Sequence, residues 1–218
     1  MRKIADKQES LLEALNNTEK RVPTGEEHGK KLHDLKDKAL VCTRCDLRSG
    51  CKQVVFGEGD PNARLMLVGE GPGGDEDRLG RPFVGRAGQL LNQILEAAEI
   101  PREEVYITNV VKCRPPGNRN PSQTEVDACS SYLVEQFKLI NPEIVICLGA
   151  LATRTIIDKN AAITRVRGQW YERDAARFIA TFHPAALLRD PGKKKPVWED
   201  FKEVVKYYHL DRGAKNEQ

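Results

Sequence analysis

Four short, mostly apolar runs divide the chain, and stretches with helical spacing of apolar residues lie between them. The runs are Leu65–Val68, Val105–Thr108, Ile144–Leu148 and Phe178–Phe182. Short apolar runs bounded by turn residues are typical of buried strands. Because strands that alternate with helices form parallel sheets covered on both faces, the pattern predicts an α/β fold. Residues 163–175 are short and mixed in character, and they predict a hairpin before the fourth strand.

The predicted helices carry apolar residues every three or four positions. Ala87–Ala98 has the clearest pattern of this kind. Another helix should begin after Ser122, because Ser122 and Glu125 have the spacing of a capping box. Its apolar face includes Cys129, which should therefore point inward. An earlier helical pattern ends with Leu40 on its apolar side.

Length and charge limit the domain organisation. The chain has 218 residues, enough for one α/β domain with an addition. We expect a loosely ordered or helical extension at 1–28, the main domain at 29–210 and a tail at 211–218. The 35 basic and 32 acidic residues neither require nor exclude nucleic acid. Without an apolar run that could span a bilayer, or a signal-peptide core, the chain should be a cytoplasmic protein.

The stretch at 65–76, LMLVGEGPGGDE, places a glycine-rich break directly after the first strand. Such breaks bring backbone amides to the carboxyl edge of a sheet, where open α/β folds bind ligands. The letters fit a dinucleotide fingerprint, but a polar loop follows where that motif requires a helix. The next strand ends at Asn109 rather than at an acid, and Glu70 would repel a pyrophosphate. A dinucleotide site is therefore disfavoured.

The ends of the predicted strands supply Glu70, Asn109 and His183, with Gly149 at the remaining end. Each has an ordinary explanation, since a histidine at a strand end is often structural and an asparagine can close a turn. Phe83 could likewise be a simple loop anchor. Their shared position at the carboxyl edge of one sheet is what favours a functional site.

The cysteines give a separate signal. Cys42 and Cys45 form a C-x-x-C pair, which Cys113 and Cys129 could complete to four thiolates. Such a set suits zinc or an iron–sulfur cluster, and the wide spacing of the second pair leans towards the cluster. Cys51 is a competing ligand. The sixth cysteine lies in a strand, and we expect it to be part of the core.

Several segments together resemble one family. They are CTRC, VGEGPG, GRPFVGRAGQLL, TNVVKCRPP and TFHPAALLR, between Cys42 and Tyr208. They resemble the family 4 uracil-DNA glycosylases, the iron–sulfur type of bacteria and archaea. The resemblance implies a three-layer α/β sandwich with a four-stranded parallel sheet between helices. It also implies a [4Fe-4S] cluster on Cys42, Cys45, Cys113 and Cys129, which excludes Cys51.

The same resemblance implies roles in the glycine-rich stretch. Glu70, Gly71 and Pro72 match the motif that positions the attacking water and contacts uracil. Glu76 matches a residue that crowds the C5 position of the base. Gly74 stands where many relatives carry an acid, which is a minor departure. A related branch traps its product through a histidine in a basic insert, but CRPPGNRNPS contains no histidine, which favours a turnover enzyme.

Three further positions complete the implied site. Phe83 matches the residue that stacks on the base, Asn109 the one that reads the uracil edge, and His183 the one near uracil O2. The chemistry agrees, since a donor at O2 would stabilise the departing uracil anion. An amide can donate to O4 and accept from N3–H, a pattern that cytosine reverses. The base must leave the helix to reach such a pocket.

The implied function is base-excision repair of uracil in single- or double-stranded DNA by a monomeric enzyme. A basic loop follows His183 and could hold phosphates near the lesion, although it could also be a solvated turn. Its cations are Arg189, Lys193, Lys194 and Lys195. Two alternatives remain: a nucleotide-dependent oxidoreductase with an iron–sulfur centre, and a non-catalytic DNA-binding module that keeps the cluster for structure.

Overall fold

The structure is a computed structural model that describes residues 25–173 and 176–215. The prediction of an N-terminal extension therefore falls largely outside the described residues. The described part begins with a helix that crosses the expected boundary between residues 28 and 29, and it ends with a helix that continues to Lys215.

Six strands of the described residues form one sheet. In chain order they are β1 Glu58–Gly59, β2 Leu65–Gly69, β3 Val105–Asn109, β4 Ile144–Leu148, β5 Trp170–Arg173 and β6 Ala176–Thr181. Their order across the sheet is β1-β3-β2-β4-β6-β5. The four inner strands are parallel and correspond to the four apolar runs. The prediction of a four-stranded parallel sheet between helices is confirmed for this central part.

The two outer strands make the complete sheet mixed. β1 pairs with β3 and β5 pairs with β6, in both cases antiparallel. The β5–β6 pair is a hairpin whose first strand lies in the segment for which a hairpin was predicted. Strands at a sheet edge have only one neighbour, and short ones lack the continuous apolar character of the inner strands.

Helices cover both faces of the sheet. They are α1 Gly25–Leu40, α2 Leu47–Gly50, α3 Gly74–Leu79, α4 Arg86–Ala97, α5 Gln123–Ile140, α6 Ala150–Ile156, α7 Ile163–Val166, α8 Pro184–Arg189 and α9 Lys194–Lys215. Short 3-10 turns occur at Arg102–Glu104, Pro116–Asn118 and Pro191–Lys193. The capping box that was predicted for α5 is present, with Ser122 accepting from the backbone N–H of Glu125.

Alternating residues of the inner strands pack into two separate hydrophobic cores, one on each face of the sheet. Met66 and Val68 of β2 pack with apolar residues of α1, α5 and α6. Leu65 and Leu67 of the same strand pack on the opposite face with α4, α8 and α9. The resulting arrangement is a three-layer sandwich. It explains why the inner strands are mostly apolar, because both of their faces are covered.

Three local expectations were wrong. The segment after the glycine-rich break was predicted as a polar loop, but it contains α3, and the Glu76 side chain accepts from the backbone N–H of its N-cap residue Gly73. The basic segment after His183 is also largely helical, since α8, a 3-10 turn and the start of α9 occupy it. Leu40 is 40% exposed because α1 ends at this residue and the chain turns away.

The register of the parallel strands aligns their ends. Gly69 pairs with Asn109, and Leu148 pairs with Thr181. The residues that follow each strand therefore meet at one edge of the sheet. Among residues 25–173 and 176–215, no helix has both the length and the apolar character needed to cross a membrane.

Candidate active site

A cleft with a volume of about 330 Å³ opens at the carboxyl edge of the sheet. All seven residues for which the sequence predicted a substrate contact line it: Glu70, Gly71, Pro72, Glu76, Phe83, Asn109 and His183. They come from the ends of β2 and β3, the segment after β6, α3, and the loops on either side of α3. The topology therefore gathers residues that lie more than a hundred positions apart in the chain.

Glu70 is held at the start of α6. Its Oε1 accepts the backbone N–H of Leu151 at 2.9 Å. This approach requires a glycine at position 149, where a Cβ would lie 2.5 Å from Glu70 Oε1 and 3.1 Å from His183 Cβ. Gly149 also has φ +98°, a conformation that favours glycine. The segment after β4 thus contributes space at Gly149 and a backbone donor at Leu151, rather than a reactive side chain.

Asn109 ends β3 and is only 1% exposed. Its Oδ1 is buried without a hydrogen-bond partner among the described residues. A Cβ at Gly69 would collide with this oxygen and with the Phe83 ring, so the neighbouring strand end must also be glycine. Buried amide oxygens normally have a donor. Asn109 Oδ1 is therefore a candidate contact for a ligand in the cleft.

Phe83 has a left-handed backbone, with φ +52°, which is strained for an aromatic residue. Glu76 secures the backbone next to it, because its Oε1 accepts the N–H groups of Val84 at 2.9 Å and Gly85 at 2.8 Å. Its Oε2 accepts the Gly73 N–H at 3.1 Å. The Glu76 carboxylate therefore connects the segment at Gly73 with the segment at Val84 and Gly85, and it also lines the cleft.

His183 stacks against Phe83, with 5.4 Å between the ring centroids and 29° between the planes. Its Nδ1 accepts the backbone N–H of Ala185 at 3.1 Å. Burial lowers the pKa of His183, while the nearby Glu70 carboxylate acts in the opposite direction. Both the low pKa and the occupied Nδ1 favour a neutral imidazole that carries its proton on Nε2. The ring can then act as a neutral donor.

Four of the six cysteines line a second, small cavity. They are Cys42, Cys45, Cys113 and Cys129, the set that the family resemblance implied. Burial raises the pKa values of Cys45, Cys113 and Cys129. Such thiols would be protonated near neutral pH unless a bound metal stabilised the thiolates. Cys129 Sγ already accepts a hydrogen bond from the backbone N–H of Lys112 at 3.3 Å.

The other two cysteines have different environments. Cys147 is fully buried in β4, as predicted for a core residue. Cys51 is 9% exposed and neighbours Cys113, but it does not line the four-cysteine cavity. In the part of the chain that the structure describes, no three histidine, cysteine or acidic side chains are arranged to hold a single metal ion.

A lysine lies between the cleft and the four-cysteine cavity. Lys112 is 2% exposed, and burial lowers the pKa of its ammonium group to about 7. Its Nζ donates to Thr108 Oγ1 at 2.6 Å, to the Asn109 carbonyl at 2.7 Å and to Gln136 Oε1 at 2.6 Å. Three oxygens therefore satisfy the three donors of a buried ammonium group.

Comparison with known proteins places the chain in a family. Residues 56–202 match the model of the uracil DNA glycosylase superfamily. The type-4 uracil-DNA glycosylase of Thermotoga maritima is 44% identical over 78% of this chain and 91% of its own length. Those of Sulfurisphaera tokodaii and Archaeoglobus fulgidus are 44% and 41% identical over 85% and 79% of this chain, and 92% and 91% of their own lengths. The chain belongs to the type-4 uracil-DNA glycosylases.

The four basic residues predicted to bind DNA do not all lie at the cleft of this glycosylase. Arg189 lines the cleft. Lys193 forms an ion pair with Asp190 at 2.8 Å, and its Nζ lies 5.6 Å from the centroid of the Phe182 ring. Lys194 and Lys195 are exposed and begin α9. The structure thus brings one of the four cations to the cleft and places the other three beyond its edge.

One wall of the glycosylase cleft was not predicted from the sequence. Asn118, Arg119 and Asn120 line it from the loop after β3. The loop is basic and contains no acid, which was a usable signal. Arg119 is not a free cation, however, because it forms a two-pronged pair with Glu125 at 2.6 and 2.8 Å. This pair lowers the pKa of Glu125 to about 2 and ties the wall to α5.

Proposed function

We propose that this protein hydrolyses the N-glycosidic bond of deoxyuridine in single- or double-stranded DNA, releasing uracil and leaving an abasic site. The observation that carries the proposal is the buried Asn109 amide oxygen, which has no partner among the described residues and belongs to a residue that lines a cleft with Glu70, Phe83 and His183. Membership of the type-4 family supports the same reaction. The proposed role is the first step of base-excision repair.

Base reading is assigned to Asn109. Its Oδ1 would accept from uracil N3–H, and its Nδ2 would donate to O4. Cytosine presents a donor where uracil has O4 and an acceptor where uracil has N3–H, so both amide groups would be opposed. A site built around buried polar groups rejects such a partner strongly, because those groups are left unpaired. Phe83 supplies the apolar surface that receives the flipped base.

Bond cleavage is assigned to His183 and Glu70. The uracil leaves as an anion, and the Nε2–H of a neutral His183 would donate to its O2. Such a donor acts where charge develops, which is the most effective form of electrostatic catalysis. Glu70 places a carboxylate near the sugar as positive charge builds there. With Oε1 held by Leu151, Oε2 would position the attacking water.

The roles of Gly71, Pro72 and Glu76 are to shape the pocket. Gly71 and Pro72 line the cleft directly beside Glu70. Glu76 is assigned to the C5 side of the base, where it would exclude the methyl group of thymine. Its carboxylate is suited to this because bonds to three backbone amides hold it in place.

Four cysteines are assigned to a [4Fe-4S] cluster, namely Cys42, Cys45, Cys113 and Cys129. They line one cavity, and four thiolates are the ligand set that such a cluster takes. The cluster would join the segment between α1 and α2, the loop after β3, and α5. The backbone N–H of Lys112 would continue to donate to the Cys129 sulfur.

DNA phosphates are assigned to Arg189, Lys193, Lys194 and Lys195. Arg189 reaches the cleft, and the exposed lysines extend the positive surface away from it. Contacts of this kind position the duplex but carry no sequence information. Their contribution should weaken as salt rises. The monomeric state and the cytoplasmic location remain predictions.

One assay tests the proposed function. Protein purified without oxygen is incubated with a labelled oligonucleotide that contains a single uracil, and abasic sites are detected by alkaline cleavage. A matched oligonucleotide with thymine at the same position is the control. Cleavage of the uracil strand alone supports the proposal. Binding of the uracil strand without any release of uracil would refute it and favour the non-catalytic DNA-binding module.

A further inference from the structure

The buried ammonium group of Lys112 lies between the base-reading strand end and the four-cysteine cavity. No acidic side chain accepts from it among the described residues, since its three acceptors are a hydroxyl, a carbonyl and an amide oxygen. Burying a cation without a carboxylate is unfavourable unless every donor is satisfied. A position that keeps such a group should gain something that an apolar side chain cannot provide.

The hydrogen bonds of Gln136 and Thr108 to other groups determine which of their atoms face Lys112. Gln136 Nε2 donates to the Phe56 carbonyl at 2.8 Å and to the Tyr106 hydroxyl at 3.1 Å. This leaves Gln136 Oε1 facing the ammonium group. Thr108 Oγ1 donates to the Phe56 carbonyl at 2.9 Å, so its lone pairs also face Lys112. The network therefore fixes the ammonium group from two sides, and its third donor holds the Asn109 carbonyl.

Lys112 is connected to both proposed sites through short links. The Asn109 carbonyl belongs to the residue whose amide is assigned to base reading, and the sheet ladder ends at that residue. On the other side, the backbone N–H of Lys112 donates to Cys129 Sγ, and Cys113 is the next residue. The Lys112 carbonyl accepts from Val55 N–H at 2.7 Å, which anchors this segment.

We propose that Lys112 is a positioning residue that holds the end of β3 and keeps the Asn109 amide aimed into the cleft. It does so by donating to the Asn109 carbonyl. Through its backbone N–H it also joins this strand end to the four-cysteine cavity. The inference rests on the proposed function, since it names a further residue on which uracil recognition depends. Lys112 does not touch the base.

The main variant is Lys112→Met, which keeps much of the shape but removes all three donors. The Asn109 carbonyl then lacks its donor, and the end of β3 should relax. We expect the single-turnover rate of uracil excision to fall by about 10- to 100-fold, the range for one or two buried polar groups left unpaired. Inhibition by free uracil should weaken by a similar factor. Binding to abasic DNA and the iron content should stay close to wild type.

A second variant separates positioning from general stability. In the double variant Lys112→Met with Thr108→Val, one of the acceptors that Lys112 leaves unpaired is also removed, while the Phe56 carbonyl keeps its donor at Gln136 Nε2. Removing both partners of a buried hydrogen bond costs much less than removing one. Thermal stability should therefore recover in part. Excision should stay low, because the Asn109 carbonyl still has no donor. Excision that recovers together with stability would overturn the proposal.

A readout that does not depend on catalysis completes the test. Backbone hydrogen exchange, followed by mass spectrometry on peptides that cover residues 105–113, should be faster in both variants than in wild type. Lys138→Met, which removes a surface lysine of α5, is the matched control and should leave that exchange unchanged. Unchanged exchange in Lys112→Met would overturn the proposal. If wild type released no uracil, the proposed function would fall, while the exchange data would still decide whether Lys112 holds this strand end.

Discussion

Asn109→Asp is the most direct test of base reading, because it changes one donor into an acceptor without changing the shape. An ionised carboxylate at this position would face the O4 carbonyl of uracil in a site that is only 1% exposed in the free protein. The variant loses the hydrogen bond to O4, and its buried negative charge also repels the O4 oxygen. Leaving a neutral group unpaired costs about 1–3 kcal/mol, and a charged group costs more. A loss of about 3 kcal/mol or more corresponds to at least roughly 10²-fold in rate.

The same variant should acquire a second pH dependence, in addition to that of wild type. Burial raises the pKa of a carboxyl group, because the charged form loses its hydration. Below that raised pKa the introduced carboxyl is protonated, so that it again offers one donor and one acceptor. Uracil excision, expressed relative to wild type at each pH, should therefore recover as the pH falls. Above the pKa, any remaining activity should shift in ratio towards cytosine, whose amine the carboxylate can accept from.

The assay is single-turnover excision from matched oligonucleotides that carry uracil or cytosine at one position, measured across a pH series. Asn120→Asp is the charge control, because Asn120 is an exposed residue of the same cleft. It should alter DNA binding modestly while leaving the preference for uracil and its pH dependence as in wild type. Near-native uracil excision by Asn109→Asp at high pH, with unchanged preference, would refute the assignment of base reading to the end of β3.

Three further predictions concern the leaving group and the cysteines. His183→Ala should lower the single-turnover rate by roughly 10²–10³-fold with little change in DNA binding, as for loss of one oxyanion donor; an unchanged rate would remove His183 from the mechanism. Because the pKa of His183 is depressed, the neutral form persists as pH falls through the ordinary histidine range, so the wild-type rate should stay level near pH 6.5 and decline only below it; half-loss at or above that pH would contradict a neutral donor. Cys129→Ala should lose iron and solubility together, measured by iron content and visible absorbance after anaerobic purification, and an iron-free wild type containing zinc would contradict the cluster.

The inner sheet was predictable because its strands are buried on both faces. Such strands are apolar at most positions, a pattern that stands out even over five residues. The edge strands were not predictable in the same way. Glu58–Gly59 has two residues, and Trp170–Arg173 is only partly buried, so neither segment needs a continuous apolar run. These segments are strands because their backbones pair with a neighbouring strand, and amino-acid composition does not predict that pairing.

The cleft was predictable at the level of strand ends and less so in its loops. Glu70, Asn109 and His183 each follow a strand, so topology alone brings them together. Helix α3 was missed because its N-cap is Gly73, which has no capping side chain, and the cap is completed by Glu76 three residues later. The wall around Asn118 was missed because its position depends on the pair between Arg119 and Glu125, which connects a loop to a helix.

The glycines at two strand ends acquire a physical reason only when the side chains around them are considered together. Gly69 leaves room for Asn109 Oδ1 and the Phe83 ring, and Gly149 leaves room for Glu70 Oε1 and His183 Cβ. Each side chain of the proposed mechanism therefore occupies space that an ordinary Cβ would fill. A cleft of this kind cannot be assembled by placing the reactive residues alone. It also requires neighbouring strand ends that carry no side chain. The glycine-rich break and the glycine after β4 therefore belong to the site as much as the residues that would touch uracil.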